Sequence, residues 1–320
     1  MSLTVTLLGT GSPLPAPDRA GPATLISTGD GPDDEHYLVD AGRGVLMRLA
    51  ATTVGAPNLT AVLLTHLHSD HITDLNDVIT TRWVMTFEPT PLIIVGPPGT
   101  RHVVDHLLAS LEPDIGYRMD HHDDLDHRPP VEVIEVTSGT VELPGGHSVS
   151  IRCDETDHKP VDPPVGYRFD PDGASVVVAG DTVPCDGLDR LCAGADALVH
   201  TTIRKDLIEN IPIQRFIDTL GYHSSPAEAA QTAARSDLST LILTHYVPPM
   251  PASGTHDDWR ALAAPGQVAG FQIAAVAVVC VFAQAGIDHN DQVENRLYNG
   301  FGCLLDNAAV KPCAGRHVVL

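Results

Sequence analysis

At 320 residues and 43% apolar content, the chain is long enough to bury a full core. Its 41 acidic residues against 19 basic ones give a formal net charge of −22, which argues against a surface built mainly to grip a phosphate backbone. The six cysteines form no C-x-x-C pair, the N-terminus carries neither a basic nor an apolar leader pattern, and the apolar run Ile273 to Ala283 is about half a bilayer span. The expectation is a reduced, cytoplasmic protein with no membrane segment.

In chain order, strands are predicted at Thr4 to Leu8, Ala23 to Ser27 and Tyr37 to Val39, followed by a helix from Gly44 and an apolar strand from Ala61 to Thr65. An amphipathic helix follows over Leu75 to Met85. A second half repeats this grammar. It runs through Leu92 to Val95, a helix near His102 to Leu111, strands between Val131 and Phe169, then Val176 to Ala179 and Ala197 to His200. A helix over Pro226 to Ala234 and a strand over Leu238 to His245 complete it. Alternating strands and helices imply sheets covered by helices. No Ser/Gly linker divides the chain, so residues 1–264 are read as one domain and 265–320 as a tail.

The chemistry concentrates at His66-Leu67-His68-Ser69-Asp70-His71, directly after an apolar run. Imidazoles and a carboxylate suit zinc, and alternate residues at a strand end can point His66 and His68 at one ion. Asp70 and His71, one step round the turn, are placed to reach a second. Further candidates stand at other strand ends: His158 after Val149 to Cys153, Asp181 after Ser175 to Gly180, and His245 after Leu241 to Thr244. Rigid strand ends delivering ligands into one crevice are how an α/β scaffold holds such a site. Gly9-Thr10-Gly11 is a weak match to nucleotide loops, and Gly-x-Ser-x-Gly is absent. The glycine pair is read as a tight turn beside the metal site.

These residues, with Asp40 in Tyr37-Leu38-Val39-Asp40-Ala41-Gly42, resemble the motif set of the metallo-β-lactamase superfamily. Leu8-Gly9-Thr10-Gly11-Ser12-Pro13, Gly166-Tyr167-Arg168 and His223-Ser224-Ser225 narrow the likeness to ribonuclease Z, the tRNA 3′-processing endonucleases. The resemblance covers residues 1 to about 264 and implies a four-layer αββα sandwich of two mixed sheets flanked by helices. It implies two zinc ions per chain, one on His66, His68 and His158, the other on Asp70, His71 and His245, with Asp181 bridging both. Asp70 would also accept the proton of the attacking water. His223 would face the scissile phosphate, and Asp40 would orient a ligand imidazole. Two ions about 3.5–4 Å apart can activate water and clamp a phosphodiester without a covalent nucleophile. The resemblance also implies a homodimer, with Leu75 to Met85 as the place to look for the contact.

The chain departs from that family in three places. The interval between His158 and Asp181 is only Lys159 to Gly180, too short for the family's tRNA-gripping arm. Its basic loop reads Pro15-Ala16-Pro17-Asp18-Arg19-Ala20, and its His-Glu-Ala-Thr box reads His200-Thr201-Thr202-Ile203. Arg19 and Arg204 are candidate substrate contacts, and Arg43, Arg82, Lys159 and Lys205 could share that rim. The loop form also resembles metallo-β-lactamase-fold arylsulfatases and small phosphodiesterases of the cyclic-nucleotide type. The substrate is therefore an RNA, specifically a tRNA precursor, or a small phosphodiester or sulfate ester. A metal-binding, non-enzymatic scaffold is the third reading.

Three features fall outside that scheme. Asp120 to His127 is rich in ligand types but lacks strand flanks, and is read as a solvated loop. Trp83 is read as part of a buried helix face or a dimer contact rather than a stacking platform. The tail shows no period after Ile273 to Ala283 and reads as an extension or the product of a shifted reading frame.

Overall fold

The computed structural model describes residues 3–29, 34–264, 272–274, 278–281 and 318–319. Strands β1 (Leu3–Gly9), β2 (Ala23–Thr28), β3 (Glu35–Val39), β4 (Ala61–Leu63), β5 (Leu92–Gly96) and β6 (Val131–Glu135) lie side by side in one sheet. The second sheet is built from β7 (Gly139–Thr140), β8 (Ser150–Glu155), β9 (Val165–Asp170), β10 (Val176–Val178), β11 (Ala197–Ile203), β12 (Thr240–Val247) and β13 (Gln272–Ala274). Both sheets are mixed. In the first, β1 to β3 run antiparallel and β3 to β6 parallel. In the second, β7 to β10 run antiparallel and β10 to β13 parallel.

Alternation along the strands builds three apolar layers. Leu3, Val5, Leu7, Tyr37, Val39 and Leu63 face Ile151, Cys153, Tyr167, Phe169, Val176 and Val199 across the gap between the sheets. The opposite faces of the same strands pack outward. Leu25, Leu38, Val62 and Ile94 lie under α1 (Val45–Leu49), α3 (Leu75–Met85) and α4 (Thr100–Ser110), while α2 (Ser69–Ile72) carries part of the histidine motif. α5 (Glu112–His121) continues from α4. On the second sheet, Val177, Leu198, Leu241 and Leu243 lie under α6 (Asp186–Cys192), α9 (Pro226–Arg235) and α10 (His256–Ala263). The intervening α7 (Lys205–Ile208) and α8 (Gln214–Asp218) lie in the connection that leads to His223. The result is the expected αββα sandwich.

The α3 prediction matches in both bounds, and its buried face is Leu75, Val78, Ile79, Arg82 and Trp83. Trp83 is 2% exposed and donates its indole N–H to the His127 carbonyl at 3.1 Å, so it is a packing residue. Arg82 corrects an expectation. It lies within that buried face, and its Nη1 donates to the carbonyls of Ala56, Pro57 and Leu59 at 3.1, 2.8 and 3.0 Å. It closes a turn and does not line a rim. The Gly-Tyr-Arg motif is structural too. Tyr167 donates its hydroxyl to the Leu64 carbonyl across the sheets, and Arg168 satisfies the carbonyls of Leu191, Ala193 and Gly194 at the end of α6.

Asp120 and His121 end α5, and residues 122–127 form an exposed or half-exposed connection with no candidate metal group among the described residues. In the tail, β13 pairs with β12. β14 (Val278–Val281) pairs antiparallel with β1, and β15 (Val318–Val319) with β14. The rest of the predicted apolar run, at 275–277 and 282–283, and the stretch Asp288 to Asp291 lie outside the described residues. Among the described residues no helix is long and apolar enough to cross a membrane.

Candidate metal centre

Five chain segments converge at one edge of the sandwich. The first runs from the end of β4 into α2. His66 lies three residues past the strand, His68 stands at the helix N-cap, and Asp70 and His71 sit in its first turn. Two more ligand types come from the ends of β8 and β10, where His158 and Asp181 emerge. His245, expected as the last residue of its strand, lies two residues before the end of β12, with φ at +55°. A left-handed backbone at a non-glycine residue inside a strand is strained, and here it turns the imidazole into the crevice. Asp40, at the end of β3, has φ of +62°. Gly9 allows close approach of this rim: a Cβ there would come within 1.7 Å of the Gly21 carbonyl oxygen. The neighbouring Thr10 carbonyl accepts the Tyr246 N–H at 3.1 Å, tying the loop to the residue beside His245.

The side chains form two groups, His66, His68, His158 and Asp181 in one, Asp70, His71 and His245 in the other, with ligand atoms in each within 4.8 Å of one another. In the first, His66 Nε2 is 3.0 Å and His158 Nε2 is 3.3 Å from His68 Nδ1. In the second, His245 Nε2 is 3.3 Å and His71 Nε2 3.7 Å from Asp70 Oδ2. Asp181 Oδ2 stands between the groups. It lies 3.5 Å from both His71 Nε2 and His245 Nε2, 3.7 Å from His158 Nε2 and 3.9 Å from His66 Nε2. The seven residues grouped from the sequence are therefore brought together.

The donor set fits a cation. Burial, reinforced by the neighbouring His71, holds His66 well below its ordinary pKa, and burial with His158 lowers His68. Those two rings are neutral, whereas at His71 the Asp40 and Asp181 carboxylates, and at His245 those of Asp181 and Asp70, outweigh burial and raise the pKa above its ordinary value. Burial would raise Asp181, but the His245, His71 and His223 imidazoles outweigh it and keep the carboxyl ionised well below its usual range. Its Oδ1 and the His71 Nε2 are buried without a hydrogen-bond partner. Orphaned buried polar atoms of this kind are expensive unless a bound group completes them, and a cation suits a cluster of imidazoles and carboxylates.

Surrounding bonds fix the rings. Asp40 Oδ2 is 2.7 Å from His71 Nδ1, and its Oδ1 accepts the Thr65 N–H at 2.8 Å. His158 Nδ1 is 2.9 Å from the Tyr222 carbonyl, a contact that sequence reasoning missed because a backbone acceptor leaves no residue signature. His223 is buried, its Nδ1 3.8 Å from Asp181 Oδ2 and otherwise unpartnered, and burial lowers its pKa to about 3. The next two residues hold it in place. Ser224 Oγ donates to the Thr182 carbonyl, and Ser225 forms a reciprocal capping box with Glu228 at the start of α9.

The two candidate substrate arginines are engaged within the protein. Arg204 pairs with Asp206 at 2.6 Å, donates to the Ser253 carbonyl and lies 6.0 Å over the Trp259 ring. Arg19 donates to Thr10 Oγ1 at 2.9 Å and lies 5.6 Å over the Tyr246 ring. In place of the expected glutamate, Thr201 donates its hydroxyl to the Gly180 carbonyl at 2.9 Å.

The beta-lactamase superfamily domain matches residues 35–246. Ribonuclease Z of Mycolicibacterium gilvum is 60% identical over 262 residues, spanning 81% of this chain and 89% of that protein. Ribonuclease Z of Mycobacterium tuberculosis (strain ATCC 25618 / H37Rv) is 56% identical over 264 residues, spanning 82% and 92%. Among solved structures, the metallo-beta-lactamase fold protein YhfI from Bacillus subtilis aligns with a TM-score of 0.65 at 22% identity, covering 86% of this chain and 97% of its own. Human tRNase Z, short form, aligns with a TM-score of 0.58 at 24% identity, covering 76% and 92%. At those identities the structural likeness is one of fold. The sequence likeness goes further: this chain belongs to the beta-lactamase superfamily and, within it, to the ribonuclease Z family.

Proposed function

We propose that the chain is a dizinc phosphodiesterase of the ribonuclease Z type that removes 3′ trailers from tRNA precursors through a metal-activated water. The observation that carries this reading is Asp181 Oδ2, lying within 3.5–3.9 Å of imidazole nitrogens from both ligand groups, with His223 alongside. Family membership supports the substrate class.

His66, His68 and His158 would hold one ion, Asp70, His71 and His245 the other, and Asp181 is placed to serve both. Two zinc ions bound there supply Lewis acidity, lowering the pKa of water and offsetting phosphodiester charge. The protein's own groups do the rest. Asp70, kept ionised by its bond to His245 and by His71 against the raising effect of burial, accepts the proton of the attacking water. His223 faces the leaving oxygen. Asp40 and the Tyr222 carbonyl keep the His71 and His158 rings in productive tautomers.

Residues 1–264 form the hydrolase domain in this reading, and 265–320 an extension. The protein works as a cytoplasmic homodimer. A second reading, hydrolysis of a small phosphodiester or sulfate ester, is favoured by the net charge of −22 and by the short Lys159 to Gly180 interval. The non-enzymatic scaffold is the remaining alternative. One panel on a purified sample, with and without chelator, separates them. Cleavage of a trailer-bearing precursor after the discriminator base supports the first reading. Brisk hydrolysis of an aryl phosphodiester or aryl sulfate without precursor cleavage moves the assignment to the second, and stoichiometric metal with no hydrolysis moves it to the scaffold.

A further inference from the structure

Tyr222 stands out among the aromatic side chains. Its ring lies 5.2 Å from the His158 ring at 79° and 5.1 Å from the His223 ring at 47°. Among the described residues it is the one Phe, Tyr or Trp ring in contact with that cluster. It is also part-exposed. The buried tyrosines are pinned by their hydroxyls: Tyr37 to Glu35, Tyr167 to the Leu64 carbonyl, and Tyr246 to the Leu243 carbonyl. Among the described residues no group bonds the Tyr222 hydroxyl. The ring stands at the lip of the metal centre, packed against His158 and His223 with no hydroxyl bond to pin it, and its part-exposed side can receive a planar group.

The cations near the centre make such a face useful. Arg204 is paired with Asp206, Lys205 with Glu228 at 2.8 Å, and Arg19 is packed between Thr10 and Tyr246. Among the described residues that leaves Arg43 and Lys159, both exposed, as the cations of the candidate rim, so a single-stranded substrate would be held by its backbone at few points. Stacking does not need that charge. It is tolerant of base identity because every base has a π-face.

We propose that Tyr222 is a base-stacking platform that positions the nucleotide flanking the scissile phosphodiester. The assignment rests on the ribonuclease reading above and specifies its substrate as single-stranded nucleic acid with an unpaired base at that nucleotide. Tyr222 is a positioning residue, and its effect falls on KM before kcat.

The test compares precursor RNA with matched RNA made abasic at each of the two nucleotides flanking the cleaved bond, on zinc-loaded wild type, Tyr222→Phe and Tyr222→Ala. In wild type and in Tyr222→Phe, base removal at one of these positions lowers kcat/KM on the order of tenfold, mainly through KM. In Tyr222→Ala the intact and abasic RNAs are cut alike, whatever that variant's absolute rate. A second readout is independent of turnover. With 2-aminopurine at the same position, binding quenches the fluorophore before cleavage in wild type and Tyr222→Phe, and not in Tyr222→Ala. A base-removal penalty as large in Tyr222→Ala as in wild type, or no penalty at either position, overturns the stacking role alone. Wild type that cuts no RNA overturns the ribonuclease reading and the platform with it.

Discussion

Asp40 Oδ2 and His71 Nδ1 lie 2.7 Å apart, both buried, at a residue whose backbone is left-handed with φ of +62°. Thr65 locks the same carboxylate from the other side, through its N–H at 2.8 Å and its hydroxyl at 2.9 Å. The strained backbone at Asp40 is thus spent on aiming one oxygen at one imidazole. Asp40→Asn keeps the shape and the tolerance for positive φ but weakens the acceptor. We expect metal affinity of the Asp70, His71 and His245 group to fall about 10–100-fold with the fold retained. Competition against a graded chelator, with circular dichroism as the fold check, measures this; unchanged retention would remove Asp40 from the account.

Metal removal is expected to destabilise the chain. Two ion sites filled from both sheets bind the native state alone, so saturation at about a thousand times Kd contributes about 4 kcal/mol per site, or on the order of 10 °C in Tm. Thermal melts with zinc and with chelator measure the difference. Asp181→Ser should abolish most of it, because its oxygen serves both groups. A zinc-independent Tm would contradict the site.

Asp70→Ala and His223→Ala should separate ligation from stabilisation of the leaving oxygen. Asp70→Ala loses both bound metal and turnover. His223→Ala keeps its metal and loses roughly 10²–10³ in kcat, the usual worth of one neutral hydrogen-bond donor aimed at developing negative charge. Metal content and steady-state kinetics on the same preparations decide it, and near-normal rates in both variants would refute the mechanism.

His200 gives a pH signature of stability. It is fully buried, its Nδ1–H donates to the Thr201 carbonyl at 2.7 Å, and burial lowers its pKa from 6.5 to about 4. Because the folded pKa is the lower one, the unfolded chain takes the proton first as pH falls. Stability from this residue is fully present above pH 6.5, declines toward pH 4, and is flat below. The loss is about 3 kcal/mol. His200→Leu should remove that decline, read as the difference between wild-type and variant urea midpoints across the window. Parallel curves would refute the assignment.

Arg82→Met leaves three carbonyls of the 56–59 turn without their donor. The expected cost is about 3 kcal/mol in chemical denaturation. The metal centre lies elsewhere, so hydrolysis of a substrate by the folded fraction should hold; a loss of kcat in folded protein would return Arg82 to the substrate rim.

Much of the frame is legible in the sequence because the central strands of both sheets are buried on both faces, and runs such as Val176 to Val178 and Leu241 to Leu243 carry no ambiguity about their environment. The ligands are legible because imidazoles and carboxylates at strand ends have a distinctive composition. What escaped was set by backbone and by partner. α5 and α6 were not predicted, since short helices rich in Asp, Gly and Arg show little apolar period. The φ of His245 and the carbonyl of Tyr222 depend on chain direction, which no residue type announces. Arg82 and Arg204 look like substrate cations in one dimension and are structural partners in three.

Each ligand group recruits side chains from both sheets: His66 and His68 from one with His158 and Asp181 from the other, Asp70 and His71 from one with His245 from the other. Metal held there would therefore act as a rivet through a seam. Cut between the sheets, at the Val136 to Ser138 connection that joins β6 to β7, the chain becomes two fragments whose reassembly should be zinc-dependent, so that metal would report the docking of the halves before any substrate is offered.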